Sequence, residues 1–185
     1  MKLQSILVLS AILSTNLVLG NDPMAKIKVD KIIVNSLPNP YYDKWTAEFY
    51  SPGDIISAKL PLKKDLPETI MMKFNLKFMG IPLPEVELSL CEALEDETYA
   101  KDVMERGLPV GEFPTKCPIK AGLDYEIFKY VISNEKIIPG CPDGRFEVEL
   151  VLYEPGHDPL ATAHVEGDLL HTYPGLSGVP TFGFK

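Results

Sequence analysis

The chain has 185 residues and a formal net charge of −8, with 18 Lys and Arg against 26 Asp and Glu. That is one domain's worth of polypeptide, with the wrong sign for nucleic acid. Its arginines are Arg106 and Arg145, so no guanidinium cluster is present to grip a phosphate backbone. Cys91, Cys117 and Cys141 form an odd set, one pair and one leftover.

In chain order, residues 5–20 (SILVLSAILSTNLVLG) carry no charge, follow Lys2, and place Val18 and Gly20 ahead of Asn21. Ser10, Ser14, Thr15 and Asn16 interrupt a run already short for a bilayer span. A cleaved secretory signal over 1–20 is therefore expected rather than an anchor. Such a route leads outside the cell or to the lysosome and permits disulfides. The ordered domain is expected over 21–171, followed by an irregular, Gly- and Pro-rich tail over 172–185.

Period-two patterning dominates that domain. Strands are expected at 24–36, 44–50 and 54–60, and then from Met72, Phe74, Leu76 and Phe78 alternating with Lys73, Asn75 and Lys77. The stretch Ser89–Arg106 lacks Pro and Gly, carries Leu90, Cys91 and Leu94 at helical spacing, and meets a stop at Gly107. It predicts one short helix, with a break near Asp96–Thr98. Further strands are expected at 125–132, at Phe146, Val148, Leu150 and Leu152 alternating with charged residues, and at 160–169. Many short strands joined by turns, with one short helix, predict a mainly β fold: an antiparallel sandwich or cup.

Catalytic patterns are missing. There is no Gly-x-Ser-x-Gly elbow, no His-Glu-x-x-His helix and no phosphate loop, so no catalytic residue, metal site or cofactor is expected. His157, His164 and His171 lie seven apart, without the Cys or carboxylate spacing of a ligand set, and read as surface or edge residues. An esterase or phospholipase is the enzymatic alternative, and no nucleophile motif supports it.

Two segments are apolar where loops should be polar: FMGIPLPEV at 78–86 and GLPVGEFPTKCPIKAGLDY at 107–125. The second, with Cys117-Pro118-Ile119-Lys120-Ala121-Gly122 inside it and Gly144-Arg145-Phe146-Glu147-Val148-Glu149 after it, resembles the ganglioside activator family and its secreted insect chemosensory relatives. Upstream, IPLPEVELSLCEAL is similar to that family's Ile-Pro loop leading into a cysteine-bearing helix. The likeness is continuous over roughly 81–170.

That resemblance implies a β-cup around a lipid cavity and a Cys91–Cys117 disulfide with Cys141 left unpaired. It also implies a non-catalytic role, lifting glycolipids or other lipids from a membrane surface and presenting them to a lysosomal glycosidase. On it, the cavity is expected to be lined by Phe74, Leu76, Phe78, Phe146, Val148 and Leu150. The rim is expected at Met79, Ile81, Leu83, Leu108, Val110 and Phe113. Exposed apolar patches of this kind usually mark a binding surface. The alternatives are an extracellular carrier of hydrophobic signals and a structural secreted domain with a filled core.

Overall fold

The alternating segments pair into two antiparallel sheets in the computed structural model, which describes residues 22, 24–97, 100–134, 137 and 139–172. The expected signal over 1–20 and, beyond Thr172, the expected tail lie outside the described residues. The strands are β1 (Ala25–Ser36), β2 (Thr46–Tyr50), β3 (Ile55–Pro61), β4 (Met71–Phe78), β5 (Ile81–Pro82), β6 (Val86–Ser89), β7 (Gly107–Leu108), β8 (Asp124–Val131), β9 (Gly144–Tyr153) and β10 (Ala161–His171). The first sheet runs β1-β10-β9-β4, with β5 and β6 both on the free edge of β4; the second runs β2-β3-β8-β7. Pro82 sits in β5, on that edge, where a missing N–H costs no ladder bond.

The expected helical segment divides near the expected break, into α1 (Leu90–Glu95) and α2 (Ala100–Met104). Ser89 starts α1 with a reciprocal cap, its hydroxyl accepting from Glu92 N at 3.1 Å while Glu92 Oε2 accepts from Ser89 N at 2.8 Å. Those bonds hold the Glu92 carboxyl below the usual carboxylate range. The other end has no basic residue in its last turn, and Glu95 meets the negative end of the helix dipole unopposed. Asp96 then leaves the helix with an extended backbone, φ −70° and ψ 109°.

The buried cluster lies toward one end of the sandwich: Tyr42, Leu62, Leu66, Ile70, Ile119, Tyr125, Leu152 and Leu160. A Cys91–Cys117 disulfide, Cα to Cα 5.5 Å, ties α1 to the loop that delivers Ile119, and Cys141 is a free, half-buried thiol. The sheets meet along β1 and β2. Toward the other end they are joined where Val29 N donates to Gly53 O at 2.6 Å, at the bulge between Val29 and Lys31. Gly53 has φ 109°, and a Cβ there would stand 2.4 Å from Val29 O, so only glycine permits this approach.

Candidate functional site

The cavity residues predicted from the sequence are three cross-strand pairs: Phe74 with Leu150, Leu76 with Val148, and Phe78 with Phe146. Each row continues across β10 and β1, through Ala163 to Val34, Val165 to Ile32, and Gly167 to Val29. Side chains in register across antiparallel strands share a face, so the structure brings all six together on one apolar surface. The row before them, Met72 with Leu152, belongs to the sealed end, where Leu152 is 2% exposed. All six residues beyond it are only half-buried. Gly167 makes room within the face, since a Cβ there would lie 2.6 Å from the Phe146 ring and 2.4 Å from Lys28 O.

The opposite face of the same strands is charged. Asn75 donates to Glu149 at 3.0 Å, Lys77 to Glu147 at 3.3 Å, and Lys31 to Glu166 at 2.5 Å. Arg145 donates to Asp30 at 2.7 Å and to Glu166 at 2.8 Å. Lys31 first, then Arg145 and His164, pull the Glu166 carboxyl down to about 2. A one-residue slip in register would turn this network inward, so the charges fix which face is the interior.

The second sheet presents a matching gradient that the sequence reading did not assign to the site. Leu60 and Tyr125 pair at the sealed end, Ala58 and Ile127 follow, and Ile56 pairs with both Tyr130 and Phe49 farthest from it. Leu60 packs on the buried cluster, whereas Phe49 is exposed and Ile56 and Tyr130 are half-buried. One irregularity in register, between Ile56 and Ala58 opposite Tyr130 and Ile127, keeps this parity, with buried Ser57 accepting from Lys129 N at 2.9 Å. The alternation of Ala47 with Phe49, and of Ile56 with Ala58 and Leu60, was the available signal; their pairing with β8 was not. The apolar rows of both sheets thus grade from the buried cluster at Leu152 and Tyr125 to half-buried and exposed residues at Phe49, Phe78 and Phe146. Away from these rows lie a hollow of about 170 Å³ on the second sheet among Thr46, Glu48, Ser57, Lys59 and Glu126, and one of about 510 Å³ beside His171.

The predicted rim residues separate into two groups. Met79 and Ile81 are 58% and 64% exposed, and Leu83 and Val86 are exposed beside them along the edge of β4. Met79 and Gly80 form the two-residue turn between β4 and β5, with φ 52° and 78°. Phe78 and Met79 lie over Gly144 at the start of β9, which puts this hairpin tip at the open end.

The other loop goes the opposite way. Gly107 pairs with Ile127 and Leu108 with Glu126, so the chain leaves β7 toward Tyr125 and the sealed end. Leu108 is half-buried in β7, and Val110 is exposed at the loop tip. Phe113 is half-buried, its ring edge-on to Tyr125 at 5.8 Å and packed over Gly107. The structure thus puts Phe113 with the buried cluster and apart from the exposed hairpin of Met79 and Ile81. Periodicity inside a proline-rich loop carries no register, and only the β7–β8 pairing reveals its direction.

No protein-family model matches the sequence, and no curated protein matches it. Among solved structures, a Niemann-Pick type C2 protein from the Japanese carpenter ant aligns over 80% of this chain and 94% of its own, with a TM-score of 0.34 and 13% identity.

Proposed function

We propose that this chain is a non-catalytic, secreted or lysosomal lipid carrier that takes lipid from a membrane into the cleft between its sheets. The observation that carries this reading is the half-buried apolar face of Phe74, Leu76, Phe78, Phe146, Val148 and Leu150, continuous with the exposed hairpin of Met79 and Ile81. A filled core would seal these six side chains as it seals Leu152; a surface facing water would not align three apolar pairs behind a charged outer face. Acyl chains lie against these rows, and the headgroup stays near the hairpin. The hairpin's exposure favours collection from a bilayer over the alternative of carrying a hydrophobic signal already in solution, which needs no membrane contact. Within this reading, presentation of a glycolipid to a glycosidase, as in the ganglioside activator family, is the most specific role.

The test is native mass spectrometry of protein purified without detergent, before and after incubation with vesicles containing phospholipid and ganglioside. Bound lipid is expected, and Val148→Trp, which fills the middle row, should reduce the load several-fold while the far-ultraviolet spectrum stays unchanged. Ganglioside taken up in preference to phospholipid supports the activator-type role, and equal uptake supports a general carrier. Protein that stays empty in both conditions overturns the proposal.

A further inference from the structure

A polar assembly stands next to the open end, and the cleft makes no use of it. His171 closes β10, and its ring is held from both sides. Nδ1 lies 2.5 Å from Asp143 Oδ1 in the β8–β9 connection, and Nε2 lies 3.3 Å from Asp22 Oδ2 in the N-terminal segment. The backbone N of His171 also donates to Asp143 Oδ1 at 2.8 Å. Asp22 is itself anchored, because its Oδ1 accepts from Met24 N at 3.1 Å and Met24 O accepts from Thr172 N at 2.9 Å. The ring therefore joins three pieces of chain: the N-terminal segment, the 140–143 turn and the end of β10.

Two carboxylates, those of Asp143 and Asp22, face the ring. Ala25, its partner in β1, brings no charge, and Cys141 lines the same hollow with Met24, Gly140 and Pro142. An imidazole with a carboxylate at each nitrogen satisfies both only when it carries two protons, since the neutral ring turns a lone pair toward one of them. Gly144, the residue after Asp143, lies under Phe78 and Met79, so the assembly adjoins the mouth of the cleft.

We propose that His171 is a pH-operated clasp, which as imidazolium pins the N-terminal segment and the 140–143 turn to β10, and on losing its proton frees the Asp22 side and loosens the open end. Asp143 foremost, and Asp22 with it, hold the ring's pKa above its ordinary value of 6.5 against the opposing effect of partial burial. A group whose folded pKa is raised contributes its full stabilisation below its unfolded value and loses it as pH rises through the folded one. The clasp is therefore closed in acid and opens toward alkaline pH. It stands whether or not the cleft takes lipid, because it is read by local opening.

Hydrogen exchange followed by mass spectrometry on the full chain, corrected for intrinsic rates, tests it between pH 5.5 and 8.5. Peptides containing Ala25 and Thr172 should lose protection as pH rises, by a factor of ten for each unit by which the ring's pKa exceeds the free value. Peptides from the centres of β4 and β9 should not change. In His171→Gln the same end peptides should exchange equally at all pH values. Asp143→Asn retains the ring and should move its midpoint, read from the imidazole proton resonances, to lower pH. Constant protection in the parent, an unchanged pH dependence in His171→Gln, or a parent midpoint at or below 6.5 would each overturn the clasp.

Discussion

Met79 occupies a backbone position that suits it poorly. At φ 52° beside Gly80 at φ 78°, it takes the first central place of a turn that asparagine or glycine fills at lower cost. A methionine Cβ crowds the neighbouring carbonyl there, at a cost on the order of 1 kcal/mol. The side chain so placed is 58% exposed and crosses the start of β9, which is what a residue held for contact rather than for stability looks like. Met79→Asn is therefore expected to stabilise the fold by about 0.5–1 kcal/mol in urea unfolding and to weaken cosedimentation with vesicles. A variant that is more stable and binds vesicles as the parent does would remove Met79 from the contact surface. The sequence displayed Met79 and Phe113 alike, as apolar residues in turn-rich segments. Only a backbone angle and a strand register separate them.

At the scale of elements, the long strands were legible because each alternates apolar and polar residues over five positions or more, and water enforces that period wherever one face is buried. Strands β5, β6 and β7 are two to four residues long, too short for any period to register. Partner order was not legible either, because β10 sits between β1 and β9, and the first of those neighbours is more than a hundred residues away in the chain. That pairing sets Gly167 beside Phe146 and completes the apolar face. The helical segment was readable together with its break near Asp96, where Glu95 and Asp96 put negative charge at a helix end rather than a breaking residue. What holds α1 in place is the bond from Cys91 to Cys117, 26 residues on. Cys91→Ser with Cys117→Ser is expected to cost about 3–4 kcal/mol in the chain-entropy account. Unfolding in denaturant measures it, and a loss below 1 kcal/mol would mean that packing of Leu90 and Leu94 on the buried cluster suffices to hold the helix.

Across the whole molecule, charge and apolar surface oppose each other. The chain carries a formal charge of −8, and the outer face of the first sheet spends many of its carboxylates on pairs with Lys31, Lys77 and Arg145. Glu166, drawn down to about 2, keeps its charge well below neutral pH, so its pairs with Lys31 and Arg145 persist in mild acid. A sequence pI near 4.9 means that net charge approaches zero around pH 5. Repulsion from an anionic bilayer then fades while the hairpin of Met79, Ile81, Leu83 and Val86 is unaltered, because its side chains do not titrate. Each buried methylene contributes about 0.8 kcal/mol, so partial insertion of Ile81 alone shifts membrane affinity by an order of magnitude. Lipid extraction from anionic vesicles should therefore be faster at pH 5 than at pH 7, and extraction from neutral vesicles should change much less. Ile81→Asp should lose most of the acid gain without altering uptake of a monomeric lipid already in solution, since the cleft rows lie behind the hairpin. Rates from fluorescent-lipid transfer at the two pH values decide the matter. If Ile81→Asp extracts as fast as the parent at both, the bilayer meets a different surface, and Val110 at the tip of the other apolar loop becomes the residue to vary.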